Sequence, residues 1–428
     1  MLINKINSLK GTFDVPSDKS ISHRSVMFGS LAQGTTHITN FLMGADCLST
    51  ISCFRALGID IDVDEDKHEV WVHGKGLKGL SAPSTILDCG NSGTTVRLIS
   101  GILSGQNFQT TLTGDASIQK RPMKRVILPL TQMGASFTAK EDNFCPMTIS
   151  PSSLHGICYD SPVASAQVKS SILLAGLYAT SPTTVTEPSI SRDHTERMLS
   201  AFGASIKRDG KSVTIQPCKE LYATDIEVPG DISSAAFFMV AGLITPNSEI
   251  TIKNVGINPT RRGILDVLLD MGGDITCLNE REVGGEMVCD LLVRSSALHG
   301  TTVGGEIIPT LIDEIPAIAI AALFAKGTTI IKDAKELRVK ESDRIETLST
   351  ELLKLGAKLT TQEDGMSIEG GHPLQGGVSL ESYHDHRIAM SLAILASRLD
   401  EPCTLLHPEC VAISFPNFFD LLTAHAQA

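Results

Sequence analysis

Aromatic side chains are scarce. One Trp, four Tyr and 14 Phe make up 4% of the 428 residues, too few for the stacking surfaces on which single-stranded nucleic acid is held. Excess positive charge is missing too: 36 Lys and Arg stand against 48 Asp and Glu, a net charge of −12. That excludes a protein that coats nucleic acid or anionic membrane, while leaving room for a local basic pocket. The ten cysteines never occur as C-x-x-C, and a chain of this length builds its cores without staples, so reduced thiols are expected. The longest apolar run, Ile315 to Ala325, is about half of the roughly 20 residues a membrane-spanning helix needs. With no signal-like stretch in MLINKINSLKG, a cytoplasmic protein without membrane or nucleic-acid partners is expected. There is no G-x-x-x-x-G-K-[ST] for nucleotide phosphates and no G-x-S-x-G elbow. His384 and His386 flank one residue with no second ligand set, so no metal is expected.

What the chain does have is glycine, 36 residues of it, and repetition. Six small-residue amphipathic segments follow polar starts: DKSISHRSVMFGSLA, CGNSGTTVRLISGIL, SPVASAQVKSSILLAGLYA, PGDISSAAFFMVAGLI, LIDEIPAIAIAALFA and YHDHRIAMSLAILAS. Measured at Ser20, Gly93, Ser165, Ile232, Asp313 and His386, the intervals are 73, 72, 67, 81 and 73 residues. Each segment predicts a helix and is followed by a β-rich run such as GTTHITNF or NSEITIKNV. A second helix then ends at Gly58, Gly134, Gly203, Gly272 or Gly356, because glycine enters the left-handed C-cap conformation without a Cβ clash. A hairpin closes each unit, as in ASIKRDGKSVTIQ, where Asp209-Gly210 supplies the expected turn. The sixth unit lacks closing strands, and INKINSL at the start of the chain is a candidate replacement. The expected layout is therefore α/β, with six βαβαββ units in two pseudo-threefold domains. Residues 1–17 and 230–428 form one discontinuous domain, and residues 18–229 form the inserted one.

Repetition by itself can serve stacked cores alone. The polarity of the six helix starts adds a second meaning, since first-turn amides attract anions. Lys19, Ser20 and Arg24 lie around one start, with Ser20 and Arg24 a helical turn apart. GNSGTTVR puts Gly93 and Arg97 at another, with Arg97 free to brace the loop instead, and ASIQKRPMKR adds Arg121. Ser165 and Gln167 offer hydrogen bonds to a polyol or phosphate, and Arg192 lies in SRDHTER, whose Asp193 and His194 equally suit a cap network. In RVKESDR, Lys340 and Arg344 have the spacing of one helical face, with Glu341 beside them for proton transfer; a solvated helix face has the same pattern. Asp313 enters an apolar segment, which calls for a cap or a base, and HDHR supplies Arg387.

The ordered set SDKSISHR, GNSGTTVRL, RPM, SAQVKS, SRDHTE, Asp313, LRVKESDR and YHDHR resembles the 3-phosphoshikimate 1-carboxyvinyltransferase family over nearly the whole chain. The resemblance implies an inside-out α/β barrel of the enolpyruvyl transferase type, with the active site between two domains. It implies transfer of the enolpyruvyl group of phosphoenolpyruvate to the 5-hydroxyl of shikimate 3-phosphate, with release of phosphate through a tetrahedral adduct. It needs no cofactor and no metal, and implies a monomer. Lys19, Ser20, Arg24, Ser165, Ala166, Gln167, Arg192, Asp313 and Lys340 are implied to hold shikimate 3-phosphate. Lys19, Gly93, Arg121, Gln167, Arg344 and Arg387 are implied to hold phosphoenolpyruvate. Asp313 is implied as the base for the hydroxyl and Glu341, with Lys19, as the proton donor. Ala166 replaces a serine of some relatives, Glu336 replaces an asparagine, and ECVAISFPNF lacks a lysine, a combination similar to the branch called class II. Gly93 stands where some glyphosate-tolerant relatives carry alanine. Two other readings remain: a related transferase acting on UDP-N-acetylglucosamine, whose cysteine-bearing loop is not recognisable near Arg121 to Arg125, and a noncatalytic anion-binding scaffold, which leaves Asp313 and Glu341 unexplained.

Overall fold

The six small-residue segments are helices buried along almost their whole length, as expected of helices without a wide polar stripe. The computed structural model describes residues 1–427 and divides into two units. One contains Met1–Pro16, Pro229–Arg281 and the chain from Met287 onward; the other contains Ser17–Val228 and Glu282–Glu286. Each has its own hydrophobic core.

In the Ser17–Val228 unit the inner helices are Lys19–Leu31, Gly93–Ser104 and Ala166–Gly176, with the Gly93 helix packed against both others. Three sheets accompany them. One runs Leu87–Asp88, Thr110–Thr113, Phe144–Ser150, Ser136–Lys140, and a second runs Cys158–Asp160, Thr183–Thr186, Ser212–Ile215, Ile206–Asp209. In both, a parallel pair joined through an inner helix precedes an antiparallel hairpin, the predicted βαβαββ order. The third sheet borrows its parallel strands from far along the chain: Leu221–Tyr222 and Ile226–Glu227 both pair with Ala32–Thr39. The other unit repeats the plan around Ile232–Ile244, Ile315–Phe324 and His386–Ala396, which pack on one another. There Ser8–Asp14 lies parallel to Glu249–Gly256.

The five glycines that end the second helices have φ values of +87° (Gly58), +102° (Gly134), +94° (Gly203), +86° (Gly272) and +82° (Gly356), as the C-cap argument requires. Two details differ from expectation. Asp209 pairs with Ser212, so the two-residue loop is Gly210-Lys211 rather than Asp209-Gly210. Gly210, with φ +58°, occupies the first central position, where a II′-type turn places glycine. The sixth sheet has three strands, Ser379–Glu381, Cys403–Leu406 and Leu2–Ile3. Of INKINSL, only Ile3 joins it, and by Ser8 the chain has entered a different sheet.

All ten cysteines are free thiols. Among the described residues no single helix is long and apolar enough to cross a membrane. The pair Gly305–Leu311 and Ile315–Phe324 meets the length and composition test jointly but bends by 110°, and the second of these helices lies within the core.

Close helix approach depends on Gly101. A Cβ there would lie 2.1 Å from the Ser171 carbonyl oxygen, and backbone cannot rotate aside as a side chain can. Gly101→Ala is therefore expected to force the Gly93 and Ala166 helices apart, costing about 3 kcal/mol, the upper part of the usual overpacking range. Urea denaturation measures it; an unchanged midpoint would show that the helices separate freely.

Candidate active-site residues

In the Ser17–Val228 unit the cationic residues gather at inner-helix starts. Asp18 caps the first helix by accepting from the Ile21 amide at 2.9 Å. Lys19, in the first turn, pairs with Asp46 at 2.7 Å. Burial pushes the Asp46 carboxyl up, but the Lys19 charge and hydrogen bond outweigh it and hold the carboxyl below its usual range. Arg24 is buried one turn beyond Ser20 and reaches back to the Ser20 carbonyl at 2.9 Å, as the spacing predicts. Its Nε donates to Thr195 Oγ1 at 2.7 Å and its second terminal nitrogen to Ser170 Oγ at 3.1 Å. Burial pushes this guanidinium down to about 10, against the pull of Glu196 and Asp18; it remains charged at neutral pH. Arg24 thus ties three polar segments together. Arg192 is half-buried and within electrostatic reach of Arg24.

Gly93 opens the second inner helix, with Ser92 as its cap. A Cβ built on Gly93 would meet terminal nitrogens of Arg97 at 3.0 Å and Arg121 at 3.1 Å, so two guanidinium ends converge on this helix start. Arg97 donates to Gln167 Oε1 at 2.6 Å, and Gln167 donates to Thr94 Oγ1 at 3.1 Å. Arg97 therefore braces the loop and orients Gln167. Arg121 contacts Asn91 Oδ1 at 3.3 Å. Ser165 caps the third inner helix by position, yet its hydroxyl makes no capping bond; Ala166 follows as the first helical residue. Beneath them, buried Lys169 lies 2.9 Å from both Glu187 and Glu196, and Glu187 also accepts from the Ser165 amide at 2.9 Å.

The other unit brings together Asp313, Lys340, Glu341, Arg344 and Arg387, by a route the spacing did not show. Lys340 ends a 3₁₀ turn over Lys335–Val339, and Asp343 caps a separate helix that starts at Arg344. Lys340 and Arg344 consequently share no helical face, which corrects the i,i+4 reading. They meet instead on Asp313, whose Oδ1 lies 3.2 Å from Lys340 Nζ and 3.3 Å from an Arg344 terminal nitrogen. Asp313 sits in the turn before the Ile315 helix and is not its cap; Glu314 holds that position. Arg387 donates to the Asp313 carbonyl at 3.1 Å.

Arg344, 1% exposed, is the hub of this cluster. It donates through Nε to Asp385 at 2.8 Å and through a terminal nitrogen to Glu341 at 2.7 Å. Burial opposes its charge, but Asp385, Glu341 and Asp313 more than compensate and push its pKa up. Burial likewise raises the Glu341 carboxyl, and the adjoining Arg344 charge overrides it, holding Glu341 below the usual range. Glu341 is therefore ionised at neutral pH in this arrangement. His386 is buried while His384 is exposed, so the two do not act as a pair.

Sequence reasoning missed Asp46, Glu187 and Asp385 as partners. Asp46 resembles an ordinary first-turn acid, and Asp385 an ordinary N-cap; only tertiary contacts distinguish them. Chemically, one unit offers convergent cations at helix starts suited to phosphoryl and carboxylate groups. The other holds three carboxylates, Asp313, Glu341 and Asp385, on one buried guanidinium, an arrangement in which proton affinity follows the position of that cation.

The family model described as EPSP synthase (3-phosphoshikimate 1-carboxyvinyltransferase) matches residues 3–422. A 3-phosphoshikimate 1-carboxyvinyltransferase of Thermoanaerobacter sp. (strain X514) is 55% identical over 423 residues, covering 98% of this chain and 99% of that one. The Bacillus subtilis (strain 168) protein of that name is 53% identical over 420 residues, 98% of each chain. Among solved structures, an EPSP synthase from Acinetobacter baumannii matches with a TM-score of 0.92 and 47% identity, covering 99% of this chain and 97% of its own. The enolpyruvyl transferase NikO from Streptomyces tendae, at 18% identity, has a TM-score of 0.77 over 100% of this chain and 97% of its own, a likeness of fold.

Proposed function

Because the chain belongs to the EPSP synthase (3-phosphoshikimate 1-carboxyvinyltransferase) family, we propose a division of labour within the reaction that it catalyses. That reaction moves the enolpyruvyl group of phosphoenolpyruvate to the 5-hydroxyl of shikimate 3-phosphate and releases phosphate, a step toward chorismate and the aromatic amino acids. Lys19, Ser20, Ser165, Gln167 and Arg192 hold shikimate 3-phosphate, with Arg24 fixing the segments that carry them. Gly93 and Arg121 hold phosphoenolpyruvate, with Arg344 and Arg387 countering its charge. Asp313, with Lys340 Nζ 3.2 Å from its Oδ1, takes the hydroxyl proton, and Glu341 protonates the methylene carbon. The neighbouring carbon then becomes electrophilic, the hydroxyl adds, and loss of a methyl proton expels phosphate. Cations around the leaving group stabilise its charge. The observation that carries this assignment is the sharing of Arg344 by Asp313 and Glu341. The chain is proposed to act in the cytoplasm as a monomer.

Incubation with phosphoenolpyruvate and shikimate 3-phosphate is expected to release phosphate, whereas UDP-N-acetylglucosamine in place of shikimate 3-phosphate is not. Release with the nucleotide sugar alone would reverse the choice of acceptor. Release with neither would leave an anion-binding scaffold.

Gly93→Ala tests the anion site. The added methyl would press on two guanidinium ends, which can yield by a few tenths of an ångström, rather than on backbone. Phosphoenolpyruvate should tolerate the shift better than the longer inhibitor glyphosate, with a differential of about 1 kcal/mol, several-fold in affinity. The ratio of the glyphosate inhibition constant to the phosphoenolpyruvate KM, at saturating shikimate 3-phosphate, is expected to rise. An unchanged ratio would mean that Gly93 does not set discrimination.

A further inference from the structure

His384 finds its partner 23 residues later, not at His386. Its ring lies against that of His407, with centroids 4.2 Å apart and planes inclined by 38°. One ligand atom from each of His384, His407 and Glu409 fits within 4.8 Å of the others, all three side chains reaching solvent. Their backbones are unusual in the same way: His384 has φ +57° and His407 has φ +51°, the left-handed region that non-glycine residues enter at a cost. Buried Ser382 joins the two segments, accepting from the His384 amide at 3.2 Å and donating to the His407 carbonyl at 3.2 Å. One buried hydroxyl therefore holds the backbones of the two histidines in register.

We propose that His384, His407 and Glu409 form a binding site for a zinc-class divalent cation, with water completing a tetrahedral shell. Two nitrogens and one carboxylate suit Zn²⁺ and disfavour Mg²⁺ or Ca²⁺, which take oxygen ligands. His407 Nδ1 is 3.4 Å from Glu409 Oε1, which places the cation on that side of the ring. On the opposite side, Nε2 is 3.9 Å from Glu381 Oε2. A small rotation of Glu381 gives the carboxylate–imidazole–metal relay that orients ligating histidines elsewhere. The bound ion clamps the segment preceding the His386–Ala396 helix to the turn at His407. Asp385, which anchors Arg344, is the next residue after His384.

Titration of chelator-treated full-length protein with Zn²⁺ alone is expected to show one ion bound per chain. Cobalt substitution is expected to give tetrahedral d–d bands without a sulfur-to-metal charge-transfer band. His384→Ala and His407→Ala should each weaken binding by more than roughly 100-fold, and Glu381→Gln by roughly 10- to 100-fold, as for an outer-shell partner. Absence of saturable Zn²⁺ binding by the unmodified chain would overturn the site, as would binding that survives both histidine substitutions. A sulfur charge-transfer band would overturn it by assigning the ion to cysteine. Circular dichroism checks the fold of each variant, and where one fails to fold the cobalt spectrum of the unmodified chain decides.

Discussion

Asp313→Asn and Glu341→Gln are each expected to slow single-turnover chemistry by roughly 10²- to 10⁴-fold, with much smaller losses in substrate affinity. Both changes keep side-chain shape and an acceptor oxygen while removing the ability to exchange a proton at working pH. Asp313 is proposed for the base role, with Lys340 and Arg344 lying 3.2 and 3.3 Å from the same oxygen. Glu341 starts ionised, held so by its contact with Arg344. A carboxylate or phosphoryl group drawn to Arg344 would compete for that cation, and the Glu341 carboxyl would rise toward a range in which it can donate. Substrate charge would then arm the acid. The sign for stability is separate: a carboxyl with a depressed native pKa contributes above its unfolded pKa and loses that contribution as pH falls through the native value. Glu341 is more than a third exposed, so solvent screening keeps this contribution small. Rapid-quench kinetics beside direct ligand titration checks the pair; nearly normal single-turnover chemistry in either variant removes that residue from proton transfer.

Asp385→Ala is expected to destabilise the chain by about 3 to 5 kcal/mol, the usual consequence of removing one member of a buried ion pair. Arg344 is 1% exposed and cannot turn to bulk water, and its Nε–Asp385 contact is 2.8 Å long. The same carboxylate caps the His386–Ala396 helix by accepting from the Arg387 amide at 3.0 Å, and it accepts from Ser342 Oγ at 3.0 Å. Urea denaturation of Asp385→Ala, and of Asp385→Ala combined with Arg344→Met, separates cap from charge. The second substitution removes the stranded cation and should recover most of the loss. A loss below about 1 kcal/mol in the single variant would show that Glu341 and Asp313 satisfy Arg344 unaided.

Local rules carried the repeat a long way. Glycine after an apolar stretch marked five helix ends because the left-handed cap is a property of one residue, and alternating residues marked the hairpins because strand faces have a period of two. The turn at Gly210-Lys211 lay one residue from its expected place, since Asp-Gly and Gly-Lys both satisfy local turn chemistry and pairing with Ser212 decides between them. RVKESDR shows where local rules stop. Its i,i+4 spacing is helical, yet Asp343 begins a new helix in the middle of the motif by accepting from the Glu346 amide at 3.1 Å. What gathers Lys340 and Arg344 is Asp313, on a distant segment. Asp46 and Glu187 were illegible for the same reason: each is significant only through a partner brought near by packing.

The long-range strand exchange imposes an order on synthesis. Leu221–Tyr222 and Ile226–Glu227 complete a sheet whose other strands are already made, so most of the Ser17–Val228 unit can form as it leaves the ribosome. Lys10 has no such opportunity. Its partner Glu249 is 239 residues away, a delay of roughly 10 to 50 s at ordinary rates of elongation. Leu2 waits longer still, for Thr404. The strand SLKGTFD therefore spends that interval with its edges open, and its Lys10, Gly11 and Asp14 make it a poor template for wrong pairing. The first strands to be translated are among the last to enter their sheets.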